Sequence, residues 1–191
     1  MTEPDAEPPT PPAAPSAWRR VARWAEVVLW IVVFVFVAER IGPQFTAWTG
    51  IGPAQGSEPT WALTTLDGET LTSASTRGDV VVANFWATWC GPCRLEMPVL
   101  QRLHDEYADQ GVRVLGFSGD AGGETGVRAF LGERDITYPI GFATRANRSA
   151  FGGIGAFPTT FIIGRDGVVQ NRVVGYFAGP AMRAAVRRAL E

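Results

Sequence analysis

The 191-residue chain contains no lysine, and all 17 of its cationic side chains are arginines. Catalysis through a lysine Schiff base, a lysine base or the lysine of a phosphate-binding loop is therefore excluded. The single histidine, His104, excludes a site built from several histidines and argues against a Ser-His-Asp triad. The two cysteines, Cys90 and Cys93, are too few for a disulfide-rich scaffold or a four-cysteine zinc site. Any catalysis by cysteine, histidine or lysine side chains must therefore rely on these three residues.

The charge is nearly balanced, with 17 cationic and 19 anionic residues and a formal net charge of −2. Nucleic-acid binding normally needs a concentrated basic surface, and the sequence suggests none, so we expect no nucleic-acid partner. Apolar residues make up 46% of the chain, which is enough for a packed core. The length suits one ordinary domain with an extension.

The N-terminal extension divides into a tail, an apolar run and a linker. Residues 1–18 are dominated by proline, alanine and acidic residues without apolar periodicity, which predicts a disordered tail. Residues 42–58 are interpreted as a linker. The globular domain is expected over residues 59–191.

The apolar run covers residues 27–38 and follows three arginines. A helix over this run alone would span about 18 Å, whereas a helix extended over residues 21–41 would span about 31 Å, close to the hydrocarbon thickness of roughly 30 Å. We interpret residues 19–41 as a transmembrane anchor, with a cleaved signal peptide and a buried core helix as the alternatives. The arginine excess before the run predicts a cytoplasmic N-terminus and an extracytoplasmic domain at a bacterial inner membrane.

From about Thr60 onward, the pattern predicts alternating strands and helices. Apolar alternation around Asp67-Gly68 predicts a β-hairpin. Predicted strands then cover residues 79–86, 112–118, 137–142, 159–164 and 168–175, and predicted helices cover residues 94–110, 124–134, 145–151 and 180–190. This order predicts one mixed α/β sheet with helices on both faces.

The two cysteines occur as Cys90-Gly91-Pro92-Cys93, where a predicted buried strand ends and a helix begins. The free N–H groups and partial positive charge of a helix N-terminus stabilise a thiolate, so Cys90 is a candidate nucleophile. Cys93 follows three residues later, within reach of Cys90, and is a candidate resolving thiol. Such a redox-active pair works without a cofactor.

Two other uses of a cysteine pair at this spacing are a structural disulfide and a metal site. A purely structural disulfide across so short a loop would stabilise the fold only weakly. A metal site would need two further ligands, and His104 lies roughly 16 Å along the same helix from Cys93. Redox chemistry is therefore favoured, and we predict no metal site.

The segment NFWATWCGPCRLEMP, from Asn84 to Pro98, resembles the active-site segment of thioredoxin-like proteins, and more narrowly that of the membrane-anchored TlpA/ResA group of extracytoplasmic thiol–disulfide oxidoreductases. The segment FPTTF, which begins at Phe157, resembles the cis-proline loop of this family. The resemblance covers residues from about 60 to 191. It implies an α/β, thioredoxin-like fold with a central mixed sheet flanked by helices, an N-terminal β-hairpin and an α/β insert before the cis-proline strand. One transmembrane helix would precede it.

The resemblance also implies roles for individual residues. Cys90 would be the catalytic nucleophile and Cys93 the resolving thiol. Glu96 matches a glutamate of the ResA-type motif and would either accept a proton from Cys93 or complement the helix N-terminus. Asn84 stands where thioredoxin carries a buried aspartate, and an asparagine cannot take up a proton.

The implied substrate-binding residues lie beside the cysteines and in the cis-proline loop: Trp89, Gly91, Pro92, Phe157 and Pro158. The Phe157–Pro158 bond would be cis and would face the cysteines, and the backbone of Phe157 would help to hold an incoming peptide. An ordinary proline at the start of a strand is the alternative.

By resemblance, the chain would reduce disulfides in exported proteins, including apocytochrome c, and would be recharged by a transmembrane thiol carrier of the CcdA/DsbD type. Thr159 replaces the glutamate that often follows the cis-proline in the cytochrome-maturation subgroup, which weakens that narrower assignment. A disulfide-forming oxidant and a non-catalytic thiol-binding tether are the alternatives. Ala83 and Ala87 stand where a peroxiredoxin carries proline and threonine or serine, which argues against peroxidase chemistry.

Overall fold

The computed structural model describes residues 24, 26–36 and 56–191 of the chain. Residues 26–36 are helical, and their side chains are exposed. Among the described residues, no helix is both long enough and apolar enough to cross a bilayer. The predicted tail, most of the predicted linker and both ends of the predicted anchor lie outside the described residues.

The segment 56–191 carries a series of strands and helices in the predicted order. The strands are β1 (Ala62–Thr64), β2 (Thr70–Thr72), β3 (Val80–Trp86), β4 (Val112–Ser118), β5 (Ile140–Phe142), β6 (Thr159–Ile163) and β7 (Val169–Val174). The helices are α1 (Gly91–Tyr107), α2 (Glu124–Gly132), α3 (Arg145–Ala150) and α4 (Gly179–Leu190), with a 3₁₀ turn at Ala108–Gln110. The run from α2 to α3 fills the interval between β4 and β6.

The helix α1 begins at Gly91, before the predicted start at Arg94, because Cys90 caps it. The sulfur of Cys90 accepts a hydrogen bond from the backbone N–H of Cys93 at 3.2 Å. Pro92 fits the first turn, since the N–H that proline lacks would have no partner within the helix.

Five strands form one mixed sheet in the order β5-β4-β3-β6-β7. The central strand β3 runs parallel to β4 and antiparallel to β6. The strands β1 and β2 form a separate antiparallel hairpin, as the sequence predicts, and Thr65 after β1 bridges to Gly141 of the edge strand β5. The segment that leaves β3 therefore emerges in the middle of one end of the sheet, and this segment carries the two cysteines.

Successive residues of β3 point to opposite faces of the sheet, and all of them are buried. Val82 and Trp86 point to the face covered by α1, α2 and α4, which we call the helix face. Val81 and Phe85 point to the face covered by the hairpin and by Phe151 at the end of α3, which we call the hairpin face. Helices pack on both faces, but the three longer ones all pack on the helix face.

The hairpin face has an aromatic centre. Phe85 stacks on Phe117 with ring centroids 4.7 Å apart, and it meets Phe151 and Phe161 edge-on at 5.0 and 6.0 Å. Such contacts add to the stabilisation that burial of the rings already provides. This cluster supports the strand from which the cysteine segment emerges.

Candidate active site

Cys90 and Cys93 form a disulfide bond at the start of α1, with an S–S distance of 2.04 Å. Both residues are nearly enclosed, with exposed fractions of 5% for Cys90 and 1% for Cys93. The structure therefore brings the two predicted redox residues together at the predicted junction of strand and helix, and it shows the pair oxidised.

The environment of the pair favours a thiolate once the disulfide is reduced. The first turn of α1 contains no acidic residue, so no carboxylate in that turn offsets its partial positive charge. The backbone N–H of Cys93 already points at the sulfur of Cys90. A helix N-terminus with such a donor stabilises the negative sulfur of a cysteine thiolate.

Glu96 lies one turn beyond Cys93 and is fully buried on the helix face. Its Oε1 accepts a hydrogen bond from the hydroxyl of Thr160 at 2.7 Å, and the amide nitrogen of Asn84 lies 3.5 Å from the same oxygen. Asn84 also donates to Thr160 Oγ1 at 2.9 Å. Three side chains from α1, β3 and β6 thus form one buried polar network.

Burial raises the pKa of Glu96 from 4.5 to about 7, while hydrogen bonds from the Thr160 hydroxyl and the Phe177 backbone act in the opposite direction. The carboxyl group can therefore gain and lose a proton near neutral pH. Glu96 also lies beyond the first turn of α1, where the field of the helix end has faded.

Other polar atoms lie buried on the helix face without a partner. Burial, with a smaller contribution from the charge of Glu96, raises the pKa of the Tyr138 hydroxyl above its ordinary value. Within the part of the chain that the structure describes, this hydroxyl and the indole N–H of Trp86 make no hydrogen bond. Gly116 leaves room for both rings, since a Cβ there would lie 3.1 Å from Trp86 Nε1 and 3.2 Å from the Tyr138 ring.

The predicted substrate-binding residues lie in two segments that meet through Trp89 and Phe157. The Phe157–Pro158 peptide bond is cis, as the resemblance implied. Trp89 is 68% exposed, and its ring meets that of Phe157 edge-on with centroids 5.8 Å apart. Gly91 and Pro92, between the two cysteines, are also exposed. Two distant segments of the chain thus share one surface beside the cysteines.

Sequence reasoning missed two contributors to the site. Thr160 donates to Glu96, and a signal for it was the pair of threonines at the start of an otherwise apolar strand. Asp120, just after β4, accepts hydrogen bonds from both the N–H and the hydroxyl of Thr88. Its signal was its place at the carboxyl end of a buried strand, where functional side chains of α/β sheets collect.

Comparison with known proteins agrees with this geometry. Residues 56–172 match the family model described as the AhpC/TSA family. The chain belongs to the AhpC/TSA family. This family match covers the hairpin, the cysteine pair and the cis-proline loop.

Two relatives of the chain have names that refer to thioredoxin or to thiol-disulfide chemistry. The thioredoxin-like protein YneN of Bacillus subtilis is 39% identical over 127 residues, which cover 65% of this chain and 74% of the relative. The thiol-disulfide oxidoreductase ResA of Bacillus cereus is 31% identical over 117 residues, which cover 61% of this chain and 67% of the relative. This AhpC/TSA-family chain is a thiol-disulfide oxidoreductase with a CxxC pair, Cys90 and Cys93.

A solved structure supports the fold of this oxidoreductase. The crystal structure of a thiol:disulfide interchange protein of the thioredoxin family from Chlorobium tepidum matches with a TM-score of 0.66 and 30% sequence identity. The match covers 73% of this chain and 99% of that one. The five-stranded mixed sheet and its N-terminal hairpin therefore form a thioredoxin-like fold.

Proposed function

We propose that this oxidoreductase reduces disulfides in exported proteins, with Cys90 as the nucleophile and Cys93 as the resolving thiol. The observation that carries the proposal is the CGPC pair at the N-terminus of α1, one turn before a buried glutamate. Cys90 is the more exposed of the two cysteines, and its sulfur lies at the end of the helix where a thiolate is stabilised.

The reaction is a pair of thiol–disulfide exchanges. The Cys90 thiolate attacks one sulfur of the partner's disulfide, so that a mixed disulfide forms and the other partner sulfur leaves as a thiolate, which takes up a proton. The Cys93 thiolate then attacks the sulfur of Cys90, which releases the second partner thiol and forms the Cys90–Cys93 disulfide. Two electrons pass to the partner, and a transmembrane thiol carrier of the CcdA/DsbD type is proposed to return them.

Glu96 is proposed to accept the proton of Cys93 before the second exchange. Its place one turn after Cys93 puts the two side chains on one side of α1, and a pKa of about 7 suits a group that must accept and release a proton. We expect Glu96→Gln to slow the resolving step about 100-fold at pH 7, since general-base assistance is typically of this size. Rapid-quench analysis of the mixed disulfide measures that step, and an unchanged rate would contradict the role.

The partner's peptide is proposed to bind over Trp89 and Phe157, beside Gly91 and Pro92, with Pro158 shaping the groove. Exposure of the Trp89 ring and its contact with Phe157 support this surface. An aromatic side chain held in place beside a reactive cysteine offers contact area with little loss of conformational entropy.

For the N-terminal part, we propose a single-pass anchor over residues 19–41 that follows a disordered tail (1–18) and precedes a linker (42–58). The domain (59–191) would then lie on the extracytoplasmic side of a bacterial inner membrane, with the N-terminus in the cytoplasm. Residues 27–36 support this proposal, because their large apolar side chains are exposed, as on a lipid-facing surface. The excess of arginine before this run supports the orientation.

Among exported proteins, we propose apocytochrome c as a substrate, on the resemblance to the TlpA/ResA group. Its haem-attachment motif, CxxCH, carries two cysteines that must be reduced before the haem is attached. An oxidised CxxCH peptide should be reduced faster than a disulfide peptide of equal length with widely separated cysteines. Equal rates would contradict this substrate without affecting the general reductase proposal.

The direction of the reaction is tested by the midpoint potential of the cysteine pair in the full-length protein, purified in a mild detergent. Equilibration in glutathione or dithiothreitol buffers, followed by thiol alkylation and mass spectrometry, gives this potential. A value near that of thioredoxin, about −270 mV, or lower would support a reductase. A value near about −120 mV would instead indicate a disulfide-forming oxidant.

The need for Cys90 is tested by substitution. Cys90→Ser should abolish reduction of a protein disulfide, whereas the matched variant Cys93→Ser should still attack and accumulate the mixed disulfide. Retention of cellular function in the Cys90→Ser variant would contradict catalysis and favour a tether that acts without exchange.

A further inference from the structure

The loop that begins at Ser118, the last residue of β4, and runs to Asp120 holds the segment that leads into the cysteine pair. The carboxylate of Asp120 accepts a hydrogen bond from the Thr88 N–H at 3.0 Å and one from the Thr88 hydroxyl at 2.6 Å. The hydroxyl of the buried Ser118 donates to the same carboxylate at 2.9 Å. The Asp120 carboxylate thus accepts three hydrogen bonds, and two of the donors belong to Thr88, which directly precedes Trp89 and Cys90.

Thr88 is held on its other side as well. Its carbonyl accepts a hydrogen bond from Arg94 Nε at 2.9 Å, so its N–H, hydroxyl and carbonyl are all engaged. Trp89 follows immediately and is largely exposed, so its backbone is fixed through Thr88 rather than through burial of its own ring.

The same loop supports the other half of the proposed peptide-binding surface. Gly119 lies against the ring of Phe157, since a Cβ on Gly119 would stand 2.3 Å from Phe157 Cζ. The N–H of Gly119 donates to the carbonyl of Trp86 at 2.7 Å, at the end of β3. The loop therefore touches both Thr88, before Trp89, and Phe157, against which Trp89 packs.

We propose that Asp120 is a positioning residue for partner binding. By fixing Thr88, it holds Trp89 against Phe157 and presents Cys90 to the partner's disulfide. A carboxylate suits this place because its two oxygens can accept all three donors, whereas an amide of the same shape has a single acceptor oxygen. The inference rests on the proposed use of Trp89 and Phe157 as the peptide-binding surface.

The test compares two disulfide probes on the full-length protein, with dithiothreitol as the electron source. For Asp120→Asn, we expect the KM for insulin to rise about tenfold with kcat nearly unchanged, the size of effect typical of a lost charge-assisted hydrogen bond. Reaction with hydroxyethyl disulfide, which is too small to use the aromatic surface, should change by less than about twofold. The matched control is Asp79→Asn, whose carboxylate pairs with Arg113 at the opposite end of the same two strands and should leave both rates unchanged.

A second variant, Thr88→Val, shows whether Asp120 acts through Thr88. In the double variant, the effect of Asp120→Asn should be smaller than in the wild type, because Thr88→Val has already removed the hydrogen bond from the Thr88 hydroxyl to Asp120. An unchanged KM for insulin, equal losses with both probes, or additive effects would overturn the inference. If Asp120→Asn does not fold, Thr88→Val alone carries the test, with the same rise in KM expected. Insulin reduction by Cys90→Ser that stays well above the rate with dithiothreitol alone would refute the proposed function itself, whatever the Asp120 variants do.

Discussion

The two faces of the central sheet are built on the same strands and both bury apolar side chains, but the helix face also buries the carboxyl group of Glu96. On the hairpin face, Phe85 stacks on Phe117 within an aliphatic and aromatic cluster. On the helix face, Asn84 from the same strand joins Glu96 and Thr160 in a polar network behind the disulfide. A single alternating strand therefore contributes to both.

Both faces therefore stabilise the fold, but the reactive groups lie on the helix face alone among the described residues. Burial of aromatic rings lowers the free energy of the folded state, whereas a buried carboxyl group raises it unless partners compensate. Glu96 has a pKa near 7 because the helix face keeps water away from it. The reactive face is thus tolerated because the apolar packing of the sheet offsets its cost.

The largest effect is expected from Phe85→Ala, which tests whether the hairpin face acts on stability alone. Loss of this ring should lower the free energy of unfolding by about 4 kcal/mol, because it leaves a cavity among three other rings. Urea unfolding of the oxidised protein measures the change. The midpoint potential of the cysteine pair should stay the same, and a clear shift in it would show that the two faces are coupled.

The next largest effect is a pH dependence of the free energy of unfolding that arises from Glu96. The pKa of Glu96 is about 7 in the folded protein and 4.5 in the unfolded chain, so the folded state binds the proton more tightly. Stability should therefore fall as pH rises from 4.5 to 7 and level off above that, by about 3 kcal/mol in total. Urea unfolding of the oxidised protein across this range should show a flatter profile for Glu96→Gln, which should be more stable than the wild type at pH 8. An identical slope in the variant would contradict the assignment.

A smaller change is expected from Thr160→Val, which removes the hydroxyl that donates to Glu96. This hydroxyl lowers the pKa of Glu96, so its loss should raise that pKa further. The free energy of unfolding should fall by about 1–2 kcal/mol at pH 8, where the carboxylate needs its donor, and by less at pH 5, where Glu96 is neutral. Equal losses at both pH values would indicate a packing effect instead.

The smallest effect is expected from Tyr138→Phe. The hydroxyl of Tyr138 is buried and makes no hydrogen bond among the described residues, so its removal should change the free energy of unfolding by less than about 1 kcal/mol, in the stabilising direction. Thermal unfolding followed by circular dichroism measures this. A loss of about 2 kcal/mol or more would mean that the Tyr138 hydroxyl makes a hydrogen bond in the folded protein.

The features that the sequence predicted are the local ones. The run of β-branched residues, the CGPC segment and the turn at Asp67-Gly68 are short-range signals, and the structure has a strand, a capped helix and a hairpin at these places. The position of Glu96 near the cysteine pair could also be predicted, because a residue three positions after Cys93 lies on the same side of a helix.

The features that were missed depend on register between strands. Asn84 and Thr160 stand opposite each other on β3 and β6, and Trp86 stands opposite Ser118 on β3 and β4. No pattern within one segment reveals such pairings. For the same reason, the sequence around Asp120 is typical of a glycine-rich turn. Only the parallel pairing of β3 with β4 places Asp120 beside Thr88.

The position of Trp89 has a practical consequence. Its indole is exposed and directly precedes Cys90, while Trp86 lies buried four residues before the same cysteine. A disulfide quenches the emission of an indole close to it, so opening the Cys90–Cys93 bond should brighten the protein. The molecule thus carries its own optical reporter, and stopped-flow fluorescence could follow single turnovers of the enzyme without a dye.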